Sequence, residues 1–204
     1  MRSRIAVVAV VALLGLACSS TPPKEKDKSA DQPAASDKSA EKVEPPKFTE
    51  LPVGALRAIA ADIERQVVEA NREPKLSAPD GLIVDTPRIR QGARTRAARI
   101  ELVNAMLDSG NAWERDNGRI WILRTAAYKA ATTSRQRDID AIMINGENMD
   151  RWAIYEGLVE ANHLGHGALS EIEKIFFEAR QKHMKPGQKY ESSNGDQATI
   201  AAAQ

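Results

Sequence analysis

In "VGALRAIAADIERQVVEAN", residues 53–71, the apolar positions Leu56, Ile59, Ile63, Val67 and Ala70 recur at spacings of three and four. That interval holds them on one side of an α-helix, so the stretch predicts an amphipathic helix with a single apolar face. Two prolines and a glycine in "REPKLSAPDG" then interrupt the pattern. A second helix is predicted in "TPRIRQGARTRAARIELVNAMLDSG". Thr86 offers an N-cap oxygen, Pro87 suits the first helical position and Gly110 suits the stop. Its inward positions are Ile89, Ala93, Ile100, Val103 and Leu107.

The period then changes. "AWERDNGRIWIL" sets Asn117-Gly118 between two short runs containing Trp113, Ile120, Trp121 and Ile122. Asn-Gly favours a type I′ turn, which predicts a β-hairpin. Two strands alone are marginal in water, so one face, expected to carry Trp113 and Ile122, must pack on helices. A long helix is predicted over 134–163, with Ile139, Ile142, Met149, Ala153 and Leu158 on its apolar side. Asn145-Gly146 in its middle either interrupts it or marks a close contact, and Gly165 and Gly167 end it. A last helix begins at "SEIE", where Ser170 and Glu173 form a capping-box pattern. Leu169, Ile172, Phe176 and Ala179 continue its stripe until Lys185-Pro186-Gly187. The expected fold is therefore mainly α with one short β-hairpin, a small α+β domain of about four helices. The polar tail, 192–204, is expected to be loose.

The N-terminal segment has a different character. Arg2 and Arg4 precede an uncharged apolar run, and small residues stand just before Cys18. This is the layout of a secretory signal over residues 1–17. The run is shorter than the roughly 20 residues that a membrane-spanning helix needs. A small residue directly before a cysteine resembles the bacterial lipobox, which implies acylation of Cys18 and anchoring in a membrane. The implied location is the cell envelope, facing the periplasm. Ser19, in place of an aspartate, points to the outer membrane. Residues 18–50 hold Lys, Glu, Asp, Ser, Ala and Pro without apolar periodicity, the composition of a disordered tether. Such a coil spans roughly 30 Å on average and about 100 Å when stretched.

Composition narrows the chemistry. Cys18 is the single cysteine, so an intramolecular disulfide and a cysteine-based zinc cluster are both excluded. Lys plus Arg number 29 against 28 Asp plus Glu, a balance that calls for no nucleic acid. His163 and His166 are three apart, but no carboxylate cluster follows at ligand spacing, so solvent-exposed histidines are preferred to a metal site. No nucleophile-elbow, zincin, Walker or dinucleotide motif occurs, and the chain is read as a non-enzyme without a cofactor. Arg88, Arg90, Arg94, Arg96 and Arg99 crowd the second helix. Arg88, Arg96 and Arg99 are the candidates for an anion-binding patch that would make the chain a binder of anionic envelope lipid or polymer, set against an ordinary solvated face. Glu147, Asn148, Arg151 and Tyr155 form the other candidate set. Asn148, Arg151 and Tyr155 share one helix face, where they serve either as a clamp on the hairpin or as a partner surface, the clamp being favoured.

These elements also have an order. A long helix leads into a hairpin with a central glycine, "WERDNGRIWIL". The helix "GENMDRWAIYEGLVEANHL" follows, then a capped helix ending at "KPGQKY". Across roughly residues 88–190 this order resembles the YdbL-like family, a periplasmic domain of unknown biochemical function. Family members are typically encoded beside an AsmA-like intermembrane bridge. The resemblance implies an accessory that binds an AsmA-like protein partner in the envelope, and it lends no catalytic residues. The lipobox, the tether and the helix at 54–71 depart from the compact family pattern. The implied organisation is a helix and linker over 51–84, the YdbL-like domain over 85–191 and a tail.

Overall fold

The computed structural model describes residues 50–79, 81–165 and 167–202; the signal segment, Cys18 and His166 lie outside them. The elements in chain order are α1 (Val53–Val68), α2 (Pro87–Asp108), β1 (Ala112–Glu114), β2 (Ile120–Ile122), α3 (Ala126–Ala131), α4 (Ser134–Ala161), α5 (Ala168–Gln181), β3 (Lys189–Glu191) and β4 (Gln197–Thr199). The fold is mostly helical α+β with a small sheet of short strands.

Threonine hydroxyls start three of the helices. Thr86 accepts from the Ile89 N–H, Thr125 from Tyr128 and Thr133 from Gln136, at 3.0–3.2 Å. Each satisfies a backbone donor that the first turn leaves without an intrahelical partner. Ser170 and Glu173 form no such box, because α5 begins earlier, at Ala168, and the Ser170 hydroxyl donates backwards to the Gly167 carbonyl.

Two apolar clusters make the core. In the larger, Leu56, Ile59, Ile63 and Val67 of α1 meet Ile89 and Ala93 of α2, Ile154 and Leu158 of α4, and Ile172 and Phe176 of α5. The segment 51–84 is therefore part of the same core as the helices after it, not a separate piece. The α1 stripe ends at Val67, since Ala70 leaves the helix with φ 55°. α2 and α4 pack antiparallel and close. A Cβ on Gly92 would lie 2.9 Å from the Asp150 carbonyl oxygen, so only glycine admits that approach. α4 runs unbroken through Asn145-Gly146, and the space above Gly146 is filled by the Arg99 guanidinium. The smaller cluster packs Val103, Met106 and Leu107 of α2 against Ala112, Ile120, Tyr128 and Ile144.

The sheet corrects the expectation of a lone hairpin. Its strand order is β2-β1-β3-β4, with β1 and β3 parallel and both outer pairs antiparallel. Residues 192–204 were expected to be loose, yet Gln197–Thr199 form β4, paired with β3. Both hairpins turn in the same way. Gly118 donates to the Arg115 carbonyl and Gly195 to the Ser192 carbonyl, and both glycines have positive φ, 74° and 81°. Each is a three-residue loop closed by a left-handed glycine rather than a two-residue type I′ turn.

Two apolar assignments are reversed. Trp113 pairs directly with Trp121 and shares its outward face, where the Arg115 guanidinium lies 4.5 Å from the Trp121 ring centroid. Side chains alternate along a strand, so Ala112, Glu114, Ile120 and Ile122 take the inner face instead. Trp113 could not have joined Ile122 there. On α4, Ile139, Ile142 and Met149 are exposed, while Asp140, Glu147 and Arg151 are buried with Ile144, Ile154 and Leu158.

Candidate functional site

The inward charges converge on one place. Arg96 from α2 donates from two nitrogens to both Glu64 oxygens at 2.9 and 2.8 Å, and its Nε donates to Glu147 at 2.8 Å. Arg151 from α4 donates from Nε to the same Glu147 oxygen at 2.8 Å and grips Glu114 of β1 at 2.7 and 2.8 Å. Arg180 from α5 donates to Glu114 at 3.1 Å and to Glu64 at 3.2 Å. Three glutamates and three arginines thus alternate in a closed ring: Glu64, Arg96, Glu147, Arg151, Glu114, Arg180 and back to Glu64. No side chain in the ring is more than 7% exposed.

The ring encloses the turn of the first hairpin. The Gly118 carbonyl accepts from Arg180 at 3.0 Å, from the Tyr155 hydroxyl at 3.2 Å and from Arg151 at 3.3 Å. The Tyr155 hydroxyl in turn accepts from Arg180 at 2.9 Å, and its ring stands 5.0 Å from that of Phe176. Asn148, one turn before Arg151, faces outward from the ring toward β2. Its amide donates to the Ile120 carbonyl and its oxygen accepts from the Ile120 N–H, at 3.0 and 2.9 Å. A side chain therefore occupies the free edge of β2 at that residue, as a neighbouring strand would.

Electrostatics follow from the alternation. Burial opposes ionisation of Glu64, Glu114 and Glu147, but the neighbouring guanidinium charges outweigh it and hold all three below the usual carboxylate range. Burial raises the Tyr155 hydroxyl, which stays protonated and able to donate. Among the described residues no buried side-chain nitrogen or oxygen lacks a hydrogen-bond partner. The ring is neutral, and its donors and acceptors are engaged within the protein. A cavity of about 40 Å³ beside Glu64, Arg96 and Arg180 has room for a water or two, far less than an organic substrate needs.

Glu147, Asn148, Arg151 and Tyr155 are thus brought together against the hairpin. The anion-binding set is not. Arg96 is buried within the ring and unavailable to a ligand. Arg88 bonds Glu160 at 2.7 Å and also pairs with Glu156, while Arg99 bonds Asp150 at 2.8 Å and Glu147 at 3.1 Å. Arg90 and Arg94 are likewise paired, with Asp85 and Glu73. The arginines of α2 are matched by carboxylates, so the helix presents no basic patch.

Glu64, Glu114 and Arg180 complete the ring without having been singled out in the sequence. For Arg180 the signal is positional: it falls four residues from Phe176 and interrupts a buried stripe, as Arg96 does between Ile89 and Val103 and Arg151 between Ile144 and Leu158. No group of three or more His, Cys, Asp or Glu side chains is placed to hold a metal ion among the described residues. No described helix is long and apolar enough to cross a membrane. The site and fold together define a small α+β domain pinned by a buried, neutral ring of ion pairs. No protein-family model matches the chain, and no curated protein or solved structure is significantly similar to it.

Proposed function

We propose that the protein is a non-enzymatic, lipid-anchored component of the bacterial envelope that works by binding a protein partner, as a YdbL-like accessory of an AsmA-like intermembrane lipid-transport system. The observation that carries this reading is the ring. The six buried ionisable side chains of the ring are consumed in holding five elements together, and the open carboxylates of Asp116 and Glu173 lie outside the ring, in a cavity beside the hairpin turn. A lipidated Cys18 and a tether of about 30 residues would let such a rigid domain search for a partner within about 100 Å of a membrane.

The anchor and the role are tested separately. A clickable palmitate analogue should label the wild-type chain and leave Cys18→Ala unlabelled and released from the membrane fraction. Loss of the gene should raise outer-membrane permeability to large antibiotics, and Cys18→Ala should reproduce that defect. An unlabelled wild-type chain would remove the anchor. A labelled chain whose loss leaves that permeability unchanged would remove the transport role.

A further inference from the structure

The helix that buries charge also exposes apolar residues. On α4, Ile142 is 74% exposed, Met149 65% and Ile139 49%, and Leu102 on α2 is 60% exposed. Arg99 lies over Gly146, so in this antiparallel pair Leu102, nearly one turn onward, stands level with Met143. Ile139, Ile142, Gly146, Met149 and Ala153 are spaced by alternating threes and fours. That is the a/d spacing of a helix seam made for another helix. The charges at the seam, Arg99 and Asp150, already pair with each other at 2.8 Å.

Charge marks the two ends. Arg135 makes no ion pair among the described residues, and Glu156 shares the single Arg88 with Glu160, which leaves this end of α4 one negative charge in excess. Arg135 and Glu156 stand equally far from the Asn145-Gly146 midpoint, one on each side. A two-fold axis at that midpoint lays Ile142 of one copy on Met149 of the other and brings Arg135 of each to Glu156 of the other. The seam from 135 to 156 is roughly 30 Å long and, with the flank of α2, about 20 Å wide. That gives about 600 Å² per copy, the low end for a specific interface. We infer that this face of α4 and α2 joins two copies of the chain, antiparallel about a two-fold axis beside Gly146. This inference does not depend on the partner proposed above.

The test uses cysteine cross-linking of the full chain in its host cells, against a wild-type control that carries Cys18 alone. Asn145→Cys, beside the axis, should form a disulfide-linked dimer on mild oxidation. Arg135→Cys should not link to itself but should link to Glu156→Cys when the two are co-expressed. Ile142→Asp with Met149→Asp should reduce the Asn145→Cys dimer at least tenfold while leaving thermal unfolding as in wild type. No cross-link at 145, equal linkage of Arg135→Cys to itself, or a dimer that survives the double aspartate would overturn the pairing. So would protection of Asn145→Cys from a thiol reagent by vesicles without any dimer, since the face would then belong to a membrane.

Discussion

Replacing Arg151 with Met keeps most of the aliphatic stem and removes the guanidinium. Glu114 then loses its two-pronged partner at 2.7 and 2.8 Å, Glu147 loses the Nε bond and the Gly118 carbonyl loses a donor. Glu114 retains only Arg180, and Glu147 keeps Arg96 and Arg99. Removing one partner from a buried ion pair costs about 3–5 kcal/mol, chiefly because the other charge stays enclosed. A domain of this size has roughly 5–15 kcal/mol in total, so Arg151→Met should lower the melting temperature by about 6–20 °C. The pH response supplies a sharper test. With one cation missing, a ring carboxylate acquires a folded pKa above its unfolded value, and such a group lends stability at low pH that is lost as pH rises. The variant should therefore gain stability between pH 7 and pH 5. Urea unfolding followed by circular dichroism at both pH values decides the matter. A variant within 1 kcal/mol of wild type at pH 7, with no gain on acidification, would refute the account.

The wild-type chain should show the opposite trend. Glu64, Glu114 and Glu147 have lowered folded pKa values, so their contribution is complete above the ordinary glutamate pKa of about 4.3 and drains away as pH falls below it; a urea midpoint unchanged at pH 3 would contradict this. Ile120→Ala should cost about 2–5 kcal/mol as a core truncation, whereas Trp113→Ala, on the outward face, should cost under about 1 kcal/mol. Equal thermal shifts for these two variants would mean that the strand faces are misassigned.

What the sequence disclosed and what it hid divide along physical lines. Helix caps, proline positions and aliphatic stripes act locally, so α1, α2 and α5 and the Thr86 cap were legible. The α4 face was not, because periodicity assigns apolar residues inward and α4 buries Glu147 and Arg151 while exposing Ile142 and Met149. Charges go inside only when partners from other elements meet them, and those partners are 32 to 51 residues away from Arg96 alone. The second hairpin carried the same Asn-Gly signal as the first, at 194–195. Its strands are polar and short, and they gain their place by pairing, β3 with β1 and β4 with β3, rather than by burying apolar side chains, so no apolar pattern marks them. Trp113 and Ile122 cannot share a face, because Trp113 pairs with Trp121 and strand alternation puts Ile120 and Ile122 on the other side.

The ring also has an order in time. In chain order its members are Glu64, Arg96, Glu114, Glu147, Arg151 and Arg180. Until the last of these is made, Glu64 has only Arg96 and Glu114 only Arg151, and the ring stays open between the two glutamates that Arg180 joins. The same helix, α5, brings Ile172, Ile175 and Phe176 to the larger core, so the ring and the core are closed by one element. Resistance to proteases should then appear abruptly, with the emergence of Arg180, rather than accumulate helix by helix.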